Sequence, residues 1–201
     1  MMKSLKIKFI LSFFLTLTFF INNSQDYKNF EDWRLMDLEN GFYLYNNKGK
    51  SIEGSSTVPD FTIRISKNKE GTIMLRLDSA YLYRYEEGKN RVEVDIIIDD
   101  NEMLNYGGEI MEVDNEYKTR VYFRVYKGQV KFLDLFKMMQ NGENLFVRTT
   151  GAEDPNVYKY SLNGFLKGLD ALTTNWVNYK AELESENPFK SKDSNENPFR
   201  R

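Results

Sequence analysis

The chain has 201 residues, a formal net charge of −2 at pH 7, and neither cysteine nor histidine. Without cysteine there is no disulfide, thiol nucleophile or thiolate metal site, and without histidine there is no Ser-His-Asp triad or imidazole zinc site. An acidic balance with no long basic run argues against nucleic acid as a partner, because that binding needs clustered Lys and Arg. Catalysis would depend on carboxylates, lysine, tyrosine or a Ser-Lys pair.

The first 24 residues have the three parts of a secretory signal peptide. Three lysines precede an uncharged apolar run, Phe9–Ile21, and polar residues follow from Asn22. The run is shorter than the roughly 20 residues that span a bilayer. We therefore predict that residues 1–24 are cleaved after Ser24 and that the protein is exported to the periplasm, the cell surface or the medium. In the alternative, the run stays attached and tethers the domain to a membrane.

Residues 25–180 are predicted to form one β-rich domain, which begins with a polar lead-in, 25–40. Trp33, Leu35 and Leu38 lie there at roughly helical spacing, so the lead-in is either one short helix or an extended entry.

Apolar and polar residues alternate after the lead-in, which is typical of half-buried strands. A first strand is predicted over 42–46 and a short one over 80–84. The other alternating sets are Phe61, Ile63 and Ile65; Ile73, Leu75 and Leu77; Val92, Val94, Ile96 and Ile98; and Val121, Phe123 and Val125.

Turn-forming residues separate the predicted strands at spacings of about ten residues, which favours antiparallel hairpins. They lie at 46–49, 54–56, 69–71, 86–88 and 107–108. Gly107-Gly108 is interpreted as one of these turns.

Two helices interrupt the strand pattern. Apolar residues at i, i+3, i+4 and i+7 predict a helix near 132–140 that ends at Asn141-Gly142. A second amphipathic helix is predicted near 163–177, with Ser161 or Asn163 as N-cap, after a closing hairpin of 145–149 and 157–161. The predicted fold is mainly β: an antiparallel β-sandwich or curled sheet with one short internal helix and a C-terminal amphipathic helix.

The segment from Tyr158-Lys159-Tyr160-Ser161-Leu162-Asn163-Gly164-Phe165 to Leu172 resembles the strand-then-helix ending of small exported bacterial β-sandwich proteins of the invasion-associated locus B type. The likeness covers about 20 residues and consists mainly of apolar spacing. That family commonly carries cysteines, which are absent here. The resemblance implies a β-sandwich with a C-terminal helix and implies no site residue.

Tyrosine and arginine side chains on strand faces are the candidate ligand-binding residues. Aromatic side chains on a sheet can stack on sugar rings or a partner surface, and guanidinium groups supply hydrogen bonds. The competing interpretation is that these residues stabilise the sheet through cross-strand pairs. The candidates are Tyr81, Tyr83, Tyr85, Tyr122, Arg124 and Tyr126.

The segment 95–116 is acidic, and its oxygens suggest either an extracellular calcium site or a pair of glycosidase carboxylates. Residues 99–102 do not have calcium-loop spacing, so a solvated strand end and hairpin loop is the preferred interpretation. There is no Gly-x-Ser-x-Gly and no phosphate-cradling glycine loop. We therefore assign no catalytic residue, metal ligand or cofactor.

Residues 181–201 are rich in Ser, Asn, Glu and Lys and are predicted to be a disordered tail. The tail repeats Asn-Pro-Phe, a motif that would present an aromatic anchor, and two copies would add avidity. The alternative is a duplication without consequence. The candidate partner-binding residues are Asn187, Pro188, Phe189, Asn197, Pro198 and Phe199.

The sequence favours an exported, non-enzymatic binding or envelope accessory protein that acts on a protein or glycan partner. Its membrane contact would come only through an uncleaved signal segment. Two alternatives stay open: a carboxylate-dependent glycan hydrolase, and an envelope assembly component recruited through the tail.

Overall fold

Eleven strands and two helices make up the described part of the chain. The computed structural model describes residues 27–54, 56–80, 91–113, 118–125, 130–150 and 155–185. The strands are β1 (Tyr27–Phe30), β2 (Trp33–Leu38), β3 (Gly41–Asn46), β4 (Lys50–Glu53), β5 (Asp60–Ser66), β6 (Ile73–Ala80), β7 (Arg91–Ile98), β8 (Leu104–Val113), β9 (Lys118–Arg124), β10 (Asn144–Thr150) and β11 (Asn156–Ser161), and the helices are α1 (Phe132–Gln140) and α2 (Phe165–Ser185).

All the strands belong to one antiparallel sheet in the order β1-β2-β3-β5-β6-β9-β8-β7-β10-β11-β4. β4 follows β3 along the chain but pairs with β11 at the far edge. Because only residues 47–49 connect β3 to β4, the two strands are separated by at most about 14 Å of chain. The sheet therefore curls until its β4 edge comes back towards β3. The predicted mainly β fold is confirmed in its curled-sheet form.

The inner face of the curled sheet carries the hydrophobic core. The four alternating sets predicted from the sequence supply it, apart from half-buried Ile73 and exposed Val125 at strand ends. Fully buried members include Phe61, Ile63, Leu75, Leu77, Val94, Ile96 and Val121. The outer face carries the intervening residues, most of them polar or charged.

The lead-in is extended, not helical. β1 and β2 form a hairpin through Glu31, which has a positive φ of 60°. Trp33 and Leu35 are two residues apart on the buried face of β2. A strand places every second side chain on one face, whereas a helix places residues i and i+2 on different faces, so this two-residue spacing belongs to a strand.

The prediction of a turn at Gly107-Gly108 is wrong, because both glycines lie inside β8. A Cβ on Gly108 would lie 2.5 Å from a methyl carbon of Val92 and 2.9 Å from methyl carbons of Val94 and Val121. The glycine therefore lets three valines of the neighbouring strands fill the inner face above β8.

Helix α1 has the predicted bounds and buries Leu135, Phe136 and Met139. Helix α2 begins at Phe165 and continues to Ser185, beyond the predicted end at 177 and into the segment predicted to be disordered. Good helix formers fill 180–184, and the next proline in the sequence is Pro188. The rest of the predicted tail lies outside the described residues.

Neither predicted N-cap residue caps α2. The Ser161 hydroxyl accepts a hydrogen bond from the backbone N–H of Asn163, which precedes the helix. Gly164, with a φ of 85°, stands between this turn and Phe165. Gly164 adopts a left-handed conformation, which costs glycine no strain, and the helix begins at the next residue.

Helix α2 packs on the inner face of β1, β2 and β3. The Phe165 ring lies 5.0 Å from the Trp33 ring, and the Tyr179 ring lies 6.0 Å from that of Phe42. Gly168 lets the helix approach closely, since its Cβ would meet Leu44 at 2.6 Å. In the described part of the chain, no helix has the length and apolarity to cross a membrane.

Hydrogen bonds between distant segments hold the curl. The Ser161 carbonyl, at the end of β11, accepts hydrogen bonds from Trp33 Nε1 at 3.0 Å and from Asn46 Nδ2 at 2.9 Å. The buried Tyr160 hydroxyl donates to the Pro59 carbonyl at 2.8 Å. These contacts join β11 to β2, to β3 and to the segment before β5.

Candidate functional site

Every arginine in the described residues lies on the outer face of the sheet. Six residues form a row across the sheet from β2 to β8, each directly opposite the next on the adjacent strand. In order they are Arg34, Tyr45, Thr62, Arg76, Tyr122 and Glu109. Directly opposite residues project to the same side, so this row is continuous over six strands. We use the name Arg–Tyr face for the part of the outer face formed by Arg34, Tyr43, Tyr45, Arg64, Arg76, Arg120, Tyr122 and Arg124.

Asp78 is the central carboxylate of the Arg–Tyr face. Arg76 Nε donates to Asp78 Oδ2 at 2.6 Å, and the Thr62 hydroxyl donates to the same oxygen at 3.0 Å. Arg120 Nε lies 2.8 Å from Asp78 Oδ1 in an ion pair. Both oxygens of Asp78 are therefore engaged by groups of the protein.

Asp60 lies directly opposite Asp78 on the neighbouring strand. Burial raises the pKa of Asp60 to about 6, and the negative charge of Asp78 adds to the increase, while Arg34 and Arg76 oppose it. A carboxylic acid at this position is partly protonated near pH 6, and so it neutralises the surrounding arginines incompletely.

Arginine side chains cover the Tyr43 ring. The guanidinium carbons of Arg64 and Arg76 lie 5.3 Å and 5.0 Å from the ring centroid. The Tyr43 hydroxyl donates to the side-chain oxygen of Asn40 at 2.6 Å, and Tyr43 is 6% exposed. This ring positions two guanidinium groups and has no free face for a ligand.

Of the ligand-binding residues predicted from sequence, the structure describes Tyr122 and Arg124. Both lie on the Arg–Tyr face, Tyr122 half-buried and Arg124 exposed. Arg124 Nε donates to Glu109 Oε2 at 2.9 Å. The predicted residues Tyr81, Tyr83, Tyr85 and Tyr126 lie outside the described residues, as do the predicted partner-binding residues Asn187, Pro188, Phe189, Asn197, Pro198 and Phe199.

Most residues of the Arg–Tyr face were not among the candidate residues predicted from the sequence. Arg64, Arg76 and Asp60 were not singled out. A signal was nevertheless present, because Arg or Tyr occupies outward positions in several predicted strands. What the sequence lacked was the register that places those strands side by side.

The sequence also contains one Ser-x-x-Lys among the described residues, at Ser66 and Lys69, which is a spacing used by some serine nucleophiles. Ser66 is the last residue of β5 and is buried, and Lys69 lies in the turn before β6 and is exposed. The Ser66 backbone N–H bonds to the Thr72 carbonyl, and no hydrogen bond among the described residues joins the Ser66 hydroxyl to the Lys69 ammonium. The pair therefore lacks the contact that activates a serine nucleophile.

The acidic segment is only partly the solvated strand end and loop that we predicted. Asp95 is buried, accepting hydrogen bonds from Arg148 Nε at 2.8 Å and from Asn105 Nδ2 at 2.7 Å. Asp99, in the turn after β7, accepts hydrogen bonds from the backbone N–H groups of Glu143 and Asn144, which lower its pKa. Within the described ranges, no three acidic side chains are grouped as metal ligands.

Comparison with known proteins identifies no relative: no family model, curated protein or solved structure matches this chain. The geometry of the site therefore carries the functional argument alone.

Proposed function

We propose that this protein is an exported binding protein whose Arg–Tyr face binds an anionic glycan. One observation carries the proposal: arginines outnumber carboxylates on this face, although the whole chain has a net charge of −2. The arginines are Arg34, Arg64, Arg76, Arg120 and Arg124, against Asp60, Asp78 and Glu109.

Two guanidinium groups of the face are left for an external anion. Among the described residues, Arg34 and Arg64 form no ion pair with a carboxylate: Arg34 lies over the Tyr27 ring, and Arg64 Nη2 donates to the Asn40 carbonyl. A guanidinium group has five donors, so each can still hold a carboxylate or sulfate of a ligand. Half-buried Tyr45, between them on β3, can contact a sugar ring.

The alternative of a glycan hydrolase is supported by one observation, the pairing of a raised-pKa acid, Asp60, with an ionised carboxylate, Asp78. Such a division of roles is what a two-carboxylate glycosidase needs. However, Arg76, Thr62 and Arg120 engage both oxygens of Asp78. These contacts give Asp78 a structural role that joins β5, β6 and β9, and binding is therefore the better-supported function.

The proposal is tested with the chain 25–201, which contains every described element. We expect binding to polygalacturonate that weakens with added salt, and no binding to uncharged dextran of similar size. The double variant Arg34→Gln, Arg64→Gln should bind about tenfold more weakly, because two charge-assisted contacts are lost. Lys137→Gln, an exposed change on α1, is the matched control and should bind like the wild type.

Equal binding to the charged and uncharged polymers, or unchanged affinity in the double variant, would contradict the proposal. Thermal unfolding of each variant separates lost contacts from lost fold. If the Phe189→Ala, Phe199→Ala variant alone loses its partner in an envelope extract, the tail is the binding element and the face is not.

A further inference from the structure

A cleft of about 390 Å³ lies between the C-terminal half of α2 and the inner face of β1, β2 and β3. It is separate from the Arg–Tyr face, which is on the other side of the sheet. Its size is near the lower end of the range for small-molecule sites. The lining residues are Lys28, Leu35, Asp37, Phe42, Lys67, Asn175, Asn178, Tyr179 and Glu182.

The floor and one wall of the cleft are already fixed by contacts within the protein. Leu35 and Phe42 are buried and form an apolar floor. The Lys67 ammonium lies 2.5 Å from Asp37 Oδ1 and 4.7 Å and 5.5 Å from the ring centroids of Phe42 and Tyr179. This wall is neutral overall, because one cation is matched by one anion.

Four other polar groups of the cleft have no partner among the described residues. Lys28, on the strand side, and Glu182, on the helix side, form no ion pair there. The side-chain amides of Asn175 and Asn178 form no hydrogen bond there, although Asn175 is half-buried. The cleft thus presents one uncommitted cation, one uncommitted anion and two amides above an apolar floor.

We propose that this cleft binds an apolar dipeptide in its zwitterionic form. The ligand carboxylate pairs with Lys28 and the ligand ammonium with Glu182, so both uncommitted charges are matched. The amides of Asn175 and Asn178 hydrogen bond to the peptide group, which carries one donor and one acceptor. An aliphatic side chain of the ligand lies on Leu35 and Phe42, where burial removes apolar surface from water.

The test is a titration of isotope-labelled chain 25–201 with the dipeptide leucyl-leucine, followed by NMR. We expect saturable shifts confined to the lining residues, including the side-chain amides of Asn175 and Asn178. N-acetyl-leucyl-leucine amide, which has the same side chains without terminal charges, should bind at least about tenfold more weakly. Absence of saturable shifts at millimolar dipeptide, or equal affinity for the two peptides, overturns the proposal.

Two charge-removing variants test the assigned roles. Lys28→Gln and Glu182→Gln should each weaken leucyl-leucine binding about tenfold, since each removes one charged contact. Both side chains are exposed, so neither change disturbs the core. Lys180→Gln and Glu39→Gln remove exposed charges outside the cleft lining and should leave affinity unchanged. Equal losses in all four variants would show a general charge effect and overturn the assigned site.

Discussion

At the scale of single residues, the most unusual group of the described chain is Asp60. Its carboxyl is half-buried and faces Asp78, so burial and a like charge both oppose its ionisation. Arg34 and Arg76 reduce this effect without cancelling it. At pH 7 the native state therefore holds an ionised carboxylate in an unfavourable place.

Replacing Asp60 with Asn should make the protein more stable at pH 7. The native pKa of about 6 exceeds the unfolded value of 3.8, so the unfolded chain binds fewer protons between these pH values. The stability of the wild type consequently falls as pH rises from about 4 to 6. Asn cannot ionise, so the stability of Asp60→Asn should not fall over this range. Its free energy of unfolding at pH 7 should be higher than that of the wild type by about 1 kcal/mol, a figure reduced for solvent screening.

Urea unfolding of both proteins between pH 4 and 7 provides the measurement for Asp60→Asn. The difference in free energy of unfolding between Asp60→Asn and the wild type should be near zero at pH 4 and should reach its full value of about 1 kcal/mol at pH 7. A difference independent of pH would show that packing, not ionisation, causes the change.

Asp99 should respond to pH in the opposite sense. Its pKa is lowered because its carboxylate accepts hydrogen bonds from the backbone N–H groups of Glu143 and Asn144. Asp99→Ala should lower Tm by roughly 3 °C at pH 7, since the two N–H groups lose their acceptor. Because Asp99 contributes stability only when ionised, the deficit should shrink as pH falls below about 4. Scanning calorimetry at pH 3 and 7 tests this, with Asp100→Ala, in the same turn, as control.

At the scale of elements, the periodicity of apolar residues predicted helix α1 correctly. It did not predict features that depend on how neighbouring strands pair. The i, i+3, i+4, i+7 spacing predicted α1 with its observed bounds, because one buried helical face repeats locally. Gly107-Gly108 was misassigned because a glycine pair is equally suited to a turn and to close packing under Val92 and Val121. Only the β7–β8–β9 pairing distinguishes the two.

The start of α2 depends on Gly164. This residue has a φ of 85°, and a Cβ there would collide with the backbone carbonyl of Phe30. Gly164→Ala should therefore lower the free energy of unfolding by about 2 kcal/mol or more, from backbone strain and the clash together. Leu166→Ala, an exposed change in the same helical turn, should alter it by less than about 0.5 kcal/mol. Denaturant unfolding compares the two; equal effects would mean that α2 starts independently of this contact.

At the scale of the whole molecule, a few contacts between the ends of the sheet maintain its curl. The amide of Asn46 is fully buried: it donates to the Ser161 carbonyl on β11, and it accepts from the Lys48 backbone N–H at 2.8 Å. Asn46 is the last residue of β3, and residues 47–49 lead from it to β4, so one side chain supports both this connection and the closure of the sheet.

Asn46→Ala should cost about 2 kcal/mol of unfolding free energy, because the Lys48 N–H loses its acceptor and a buried cavity remains. The neighbouring Asn47 is exposed, so Asn47→Ala is a matched control that should have little effect. Urea unfolding of the two variants measures the difference. A neutral Asn46→Ala would show that Trp33 Nε1 and the Tyr160 hydroxyl hold the closure without it.

Local pattern and composition were enough to predict the alternating strands, the presence of both helices and the lack of thiol and imidazole chemistry, because these properties depend on near neighbours or on composition alone. The secretory signal peptide stays a prediction from the same local pattern. Three features are visible only in the folded chain: the pairing of β4 with β11, the position of the described arginines on one face, and the cleft that α2 encloses with β1, β2 and β3. Each of these depends on register between segments far apart in sequence, and a shift of one residue would move every side chain of a strand to its other face.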